Sequence, residues 1–256
     1  MLIFKLAVVP LALLLLGIVE RRHGPRIAGW LAGFPVIAGP LLLFVSLDHG
    51  KAFGSAAALA AFFGLLPWLS FSTVYAYCAR FWGWGWSAVC GFSAWAIVAT
   101  VIVALQGRST LLQILPFAAI LGAIWIYPNG KASDEPREHG WWPLAVRVLA
   151  GAVLTFVIAR FSDSIGSRWS GTFMTFPVMG SIVAVANHIE FGKRAVQDAA
   201  AGMALGLVSV AIFCFVLAQA LERTGIGAAF GLAILAAGLA HVLTWRVFRS
   251  GNRAEA

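Results

Sequence analysis

Charge is what this chain of 256 residues has least of: only 11% of its residues are Asp, Glu, Lys or Arg, while 61% are hydrophobic. With a mean hydropathy of +0.90, it cannot be an ordinary water-soluble domain, in which about a quarter of the residues are charged. Cysteine is scarce too. Cys78, Cys90 and Cys214 all lie in apolar stretches and offer neither metal-ligand spacing nor a disulfide framework. No glycine-rich loop ends in Gly-Lys-Ser or Gly-Lys-Thr, so the chain itself is not expected to hydrolyse nucleotides. The serines near histidines lack a placed acid partner. His188, Glu190 and His49 could be imagined as metal ligands, but the topology derived below puts them on opposite faces. No catalytic residue, metal site or cofactor is therefore expected, and the chain reads as a non-enzyme. The net charge of +8 comes from basic residues in short loops between apolar runs. Those are topology signals rather than a nucleic-acid-binding face.

What the chain has instead is a series of apolar runs, each near the roughly 20 residues needed to cross a hydrocarbon core of about 30 Å. The first, 2–19, is not a removable leader. It carries a single Lys5, lacks a small-x-small cleavage site, and leaves through Glu20-Arg-Arg-His-Gly-Pro-Arg26. Further spans are expected at 27–47, from 52 to about 77, and at 88–105, 111–127, 143–159, 171–187, 196–221 and 226–247. Arg80 with Trp82, Trp84 and Trp86 marks an interface, where amphipathic rings prefer to sit. Residues 129–140 form a hydrophilic loop and 249–256 a polar tail.

The chain also repeats itself. A gap-free shift of 142 positions carries Gly29, Phe34, Pro35 and Val36 onto Gly171, Phe176, Pro177 and Val178. The same shift carries Gly50-Lys51 onto Gly192-Lys193, Asp48 onto Glu190, and Lys5 onto Arg147. Matches in one register, including Phe-Pro and Gly-Lys, indicate an internal duplication. The expected fold is all-α: a polytopic membrane protein of about nine transmembrane helices, with two four-helix repeats in inverted topology joined by a central helix. The first repeat is 1–106, the linking helix and polar loop 107–141, the second repeat 142–248, and the tail 249–256. With nine spans, the face holding the C-terminus carries 12 of the 18 Lys and Arg residues. The positive-inside rule then puts the N-terminus outside and the C-terminus in the cytoplasm.

Candidate sites follow from the repeat. Phe34-Pro35 and Phe176-Pro177 interrupt equivalent helices at membrane depth, and each proline frees carbonyls about one turn back, near Leu31 and Phe173. Such groups need protein or water partners, and paired broken helices in inverted repeats are where secondary transporters place substrate. Thr172 and Thr175 join Phe34, Pro35, Phe176 and Pro177 as candidate substrate-binding residues; a packing kink is the other reading. Asp48, Lys51, His188, Glu190 and Lys193 stand in two equivalent polar turns, as gate residues or as ordinary interfacial turns. Lys5 and Arg147 either hold an anion or snorkel to headgroups. Gly29-x3-Gly33, Gly202-x3-Gly206 and Gly227-x3-Gly231 permit close helix contact.

A repeat of about a hundred residues in four helices, with a Phe-Pro turn in the second and a Gly-containing polar turn after it, resembles the GlpM-like bacterial inner-membrane proteins. Two inverted halves resemble the plan of the drug/metabolite transporter superfamily, although that plan usually has ten helices. No substrate residue is carried over from either. The resulting expectation is a secondary transporter or exporter of a small organic or lipid-related molecule in the bacterial inner membrane, in contact with membrane lipids and compatible with a homodimer. The competing reading is a scaffold or envelope-assembly protein that transports nothing. Reporter fusions after Lys131 and at the C-terminus test the nine-span topology: both should report cytoplasm, and opposite faces would reject it.

Overall fold

Glycine and proline set the helix boundaries. Gly24, Gly50 and Gly192 have φ of 84°, 85° and 81°, a left-handed backbone that costs glycine little, and each stands immediately before a helix. The computed structural model describes residues 2–35, 38–105, 110–127, 144–153 and 177–253, and all regular structure among them is helical. The helices are α1 (Leu2–His23), α2 (Pro25–Ala32), α3 (Ala38–His49), α4 (Lys51–Cys78), α5 (Trp84–Leu105), α6 (Ile114–Ile126, entered through a 3-10 turn at Thr110–Gln113), α7 (Leu144–Val153), α8 (Val178–Glu190), α9 (Lys193–Arg223) and α10 (Ile226–Arg253).

Four of these, α4, α5, α9 and α10, are long and apolar enough to cross a membrane, whereas α3, α6 and α7 are shorter apolar helices. The run expected to be one kinked span at 27–47 is two helices, α2 and α3, with the chain interrupted at Phe34-Pro35. Proline has no N–H to give the Leu31 carbonyl. The Phe34 N–H takes that place in a tighter turn at 3.0 Å, and helix resumes as Gly39 donates to the Pro35 carbonyl at 2.9 Å. The carbonyl expected to need an outside partner is thus satisfied by its own chain. At the second Phe-Pro, Pro177 precedes α8 and its carbonyl accepts from Ser181 at 2.7 Å. Phe173 and Phe176 lie outside the described residues.

α9 is the centre of the structure: 72% of its most apolar window is buried, against 22% for α5 and 33% for the membrane-length part of α10. It packs on α2, α4, α6, α8 and α10. Small residues make this possible. Gly29 and Gly33 of α2 meet Ala199, Met203 and Gly206 of α9, and a Cβ added at Gly202 would overlap the Arg26 carbonyl. Two of the three glycine pairs noted in the sequence therefore lie against each other, in the close backbone approach that replaces a hydrophobic driving force within lipid. The third pair, Gly227 and Gly231, has no atom within 4 Å of an added Cβ.

α4 and α9 run antiparallel. Lys51 at the start of α4 donates to the Thr224 carbonyl at the end of α9, at 3.3 Å. Lys193 at the start of α9 donates to the Arg80 carbonyl just beyond α4, at 3.0 Å. Ser55 bridges the same pair, donating to the Ala218 carbonyl at 2.8 Å and to Glu222 at 3.0 Å. Between these ends, the rings of Phe62 of α4, Phe117 of α6 and Phe215 of α9 pack in tilted and edge-on pairs with centroids 5.1 to 5.8 Å apart.

The glycine contacts give a test with two signs. Gly202→Val or Gly206→Val should destabilise the protein by about 1–3 kcal/mol, because backbone rather than a mobile side chain opposes the added carbons. Gly231→Ala should be neutral or stabilising by up to about 1 kcal/mol, since helix propensity improves in open space. Thermal unfolding in detergent reads both.

Candidate functional site: a guanidinium shared by two carboxylates

Arg147 stands in the first turn of α7 and is 7% exposed. Its guanidinium reaches two other parts of the chain. Nη1 donates to Glu20 Oε2, near the end of α1. Nε donates to Glu190 Oε1 at 3.0 Å, and Nη2 pairs with Glu190 Oε2 at 3.0 Å, at the end of α8. This second contact is the bidentate fork that planar guanidinium and carboxylate favour. Nη2 also reaches Asn187 Oδ1 at 3.4 Å, and the Phe191 ring lies 5.8 Å from the guanidinium carbon.

The local sequence explains the convergence. Asn187 and Glu190 are three residues apart on α8 and so share one helix face. Glu20 follows the apolar run that ends at Val19, so its carboxylate emerges where α1 reaches the polar zone. The side chains of Glu20 and Glu190 are 3% and 13% exposed. Helix polarity does not favour the arrangement. Both acids sit at helix C-termini and Arg147 at a helix N-terminus, the opposite of what helix dipoles stabilise. Removing these charges from water is also costly. Their mutual attraction must offset both, which ties α1, α7 and α8 together at one point. Satisfaction is incomplete: Glu20 Oε1 and Asn187 Nδ2 are buried without a hydrogen-bond partner, although Asn187 lies beside the Glu20 carboxyl.

Of the expected anion-binding residues, Arg147 is thus already held by two carboxylates, and the Lys5 side chain lies outside the described residues. Among the expected gate residues, neither acid meets the lysine of its own turn. Glu190 goes to Arg147, while Lys51 and Lys193 cap the opposite long helix, where a cation suits the exposed carbonyls. Asp48 is exposed and in no ion pair among the described residues. His188 Nδ1 meets the Tyr75 hydroxyl of α4 at 3.3 Å.

Of the expected substrate-binding residues, Pro35 and Pro177 are buried and Phe34 half-buried, while Thr172, Thr175 and Phe176 lie outside the described residues. Phe34 sets its edge against His241 of α10, centroids 5.2 Å apart. Trp30 stacks on the same imidazole at 3.8 Å, and Ser209 Oγ meets its Nδ1 at 2.8 Å. At the start of α8 the indole of Trp68 lies against Gly180. Leu13, Val183 and Met203, with Ala32, Trp68, Val148 and Ile182 around them, form an apolar cluster between α1, α8 and α9. A void of about 10 Å³, room for a single water, lies beside it between α4, α8 and α9.

Sequence reasoning did not single out Glu20 or Asn187. The available signal for Glu20 was an acid directly after an apolar run. Asn187 was visible only as one turn before Glu190, and neither could be paired with Arg147 without the tertiary fold. No known protein family, curated protein or solved structure matches this chain.

The cluster makes an asymmetric prediction. Arg147→Met leaves two carboxylates facing one another in a buried site and should cost about 3–5 kcal/mol of stability. Glu190→Gln with Arg147→Met and Glu20→Gln, which removes every charge, should recover most of that loss. Thermal unfolding of the single and triple variants checks this.

Proposed function

We propose that this protein is a secondary transporter of a small organic or lipid-related molecule, built from two inverted halves in the bacterial inner membrane, in which the Glu20–Arg147–Glu190 cluster closes the cytoplasmic end. The observation that carries this reading is a one-sided latch. In the repeat register Arg147 corresponds to Lys5 and Glu190 to Asp48. Glu190 is engaged with Arg147 and nearly buried, whereas its counterpart Asp48 is exposed to solvent. Alternating access needs one end closed while the other is open.

The helix arrangement supports two equivalent, oppositely directed halves. α4 and α9 begin 142 residues apart, as do α5 and α10. Each polar-turn lysine caps the other half's long helix. Contacts exchange in the same way: α3 packs on α10, and α8 on α5. Equivalent helices that run antiparallel are what inversion requires.

Nine spans are supported by the fact that every one of these cross-contacts joins ends assigned to one face. α1, α4 and α8 end on the face where α7 and α9 begin, as the contacts of Glu20, Arg147, Glu190, Lys193 and Arg80 require. α5 starts near that face and leads away from it, so the chain must return before Arg147. α6 with its 3-10 turn covers about 28 Å, close to a full crossing. Its end at Tyr127 lies near Ser72, Thr73 and Arg80 on the return face.

The aromatic surroundings of the two Phe-Pro sequences, with Trp30 and His241 beside Phe34 and Trp68 beside Gly180, suit an organic or lipid-like cargo better than an inorganic ion. One observation favours the scaffold reading instead: Leu13, Val183 and Met203 of α1, α8 and α9 pack together as an apolar cluster. Accessibility separates the two. In a cysteine-free background, Ala38→Cys, beside the first interruption, should react with a membrane-impermeant thiol reagent from the outer face only. Adding Arg147→Met should open reaction from the cytoplasmic face as well. No reaction from either face in both proteins would reject transport and leave the scaffold.

A further inference from the structure

The cluster around Arg147 encloses two carboxylates and one cation, one negative charge in excess. Among the described residues, the neighbouring elements do not supply the missing positive charge. On α1 itself, Arg22 and His23 are exposed to solvent and Arg21 has a contact of its own. On α2, Arg26 is buried with a contact of its own. On α8, His188 faces Tyr75. Among the described residues the charges acting on Glu20 are those of Arg147 and Glu190. A surplus charge held away from water is costly, and a group in that position commonly takes up a proton instead.

The two acids are not equivalent receivers. Glu190 commits both oxygens to the guanidinium, so a proton there would break the bidentate fork. Glu20 commits only Oε2 and is the more enclosed of the two. Its Oε1 is buried with no hydrogen bond of ordinary length, although the Asn187 amide lies beside the carboxyl, so a proton on that atom leaves the bond from Arg147 intact and cancels the surplus. We infer that Glu20 Oε1 is a proton-binding site, occupied while the cluster is closed and vacated when α1 parts from α8 and the carboxylate meets water. The site is then the point at which transport couples to protons. That last clause rests on the transporter reading; the proton site itself does not.

Infrared difference spectroscopy of the protein in lipid nanodiscs, titrated from acid to alkaline pH, reads the carboxyl directly and needs no substrate. The native protein should keep a carboxylic-acid C=O band to neutral pH. That band should be absent in Glu20→Gln and retained in Glu222→Gln, whose acid lies elsewhere. Two variants that keep Glu20 decide the matter even if Glu20→Gln does not fold. Glu190→Gln removes the competing negative charge and should lower the midpoint by about one pH unit or more, while Asn187→Leu removes a dipole that stabilises the ionised form and should raise it by about one unit. A band that survives in Glu20→Gln, midpoints unmoved in both other variants, or a native midpoint that follows sodium concentration would overturn the proposal. Failure here counts against the proton site alone, whereas silence of Ala38→Cys toward the thiol reagent counts against transport alone.

Discussion

The position of three helices depends on a single guanidinium. Among the described residues, Arg147 is the one ionic link between the end of α1, the start of α7 and the end of α8. None of those helix ends favours the charge it carries. The cluster is therefore poor as a stabilising device and strong as a positioning one. An apolar triple replacement of similar shape would hold the helices with less conflict, and buried ion pairs are often neutral or unfavourable against such replacements. What an apolar contact could not do is respond to water or to a proton. In the proposed scheme the conflict is useful, because the closed state is held by interactions that weaken sharply once water enters.

The two lysine caps act at a longer range. Each joins the start of one long helix to the carbonyl end of the other, so α4 and α9 are clamped at both membrane faces while their middles pack through Phe62 and Phe215. This fixes the antiparallel pair as a stable axis. The shorter helices α2, α3 and α8 pack around it. Their attachment differs. α2 is held on α9 by backbone-to-backbone approach at Gly29, Gly33, Gly202 and Gly206, whereas α8 is held at its end through Glu190 and Asn187.

How much of this could be read from the sequence depended on whether the signal was local. Helix ends at Gly50-Lys51 and Gly192-Lys193 were legible because glycine at positive φ and a polar turn are local requirements. The long helices α4, α5, α9 and α10 were legible from uninterrupted apolar length. The interruption at Phe34-Pro35 was legible as a kink, but not as two separate helices; that depended on how Phe34 satisfies the Leu31 carbonyl. The pairing within the site was hidden. An acid and a lysine three residues apart suggest one another, yet Lys193 turns to the Arg80 carbonyl and Glu190 to Arg147. Partners more than forty residues distant in sequence decide both contacts, and no periodicity records them. Glu20 was overlooked for the same reason: beside Arg21 and Arg22 it reads as part of a solvated polar exit, whereas it turns inward.

On the proposed duplicated and inverted plan, the two faces are unequal in strength. The repeat register carries Arg147 onto Lys5 and Glu190 onto Asp48, but it carries Glu20 onto Ser162 and Asn187 onto Val45. One face therefore has two acids and an amide around a planar guanidinium. The other has the elements of a single Lys–Asp pair. A guanidinium binds carboxylate through a rigid fork, while a lysine offers a compact, strongly hydrated charge on a flexible stem, and an exposed pair of that kind contributes only about 0–1 kcal/mol. Two gates of unequal strength bias a two-state equilibrium toward the state in which the stronger one is closed. That bias favours the arrangement seen here, with Glu20, Arg147 and Glu190 joined and Asp48 exposed. The second acid is also what gives the stronger gate its surplus charge, so the residue that makes the two faces unequal is the one proposed to carry the proton.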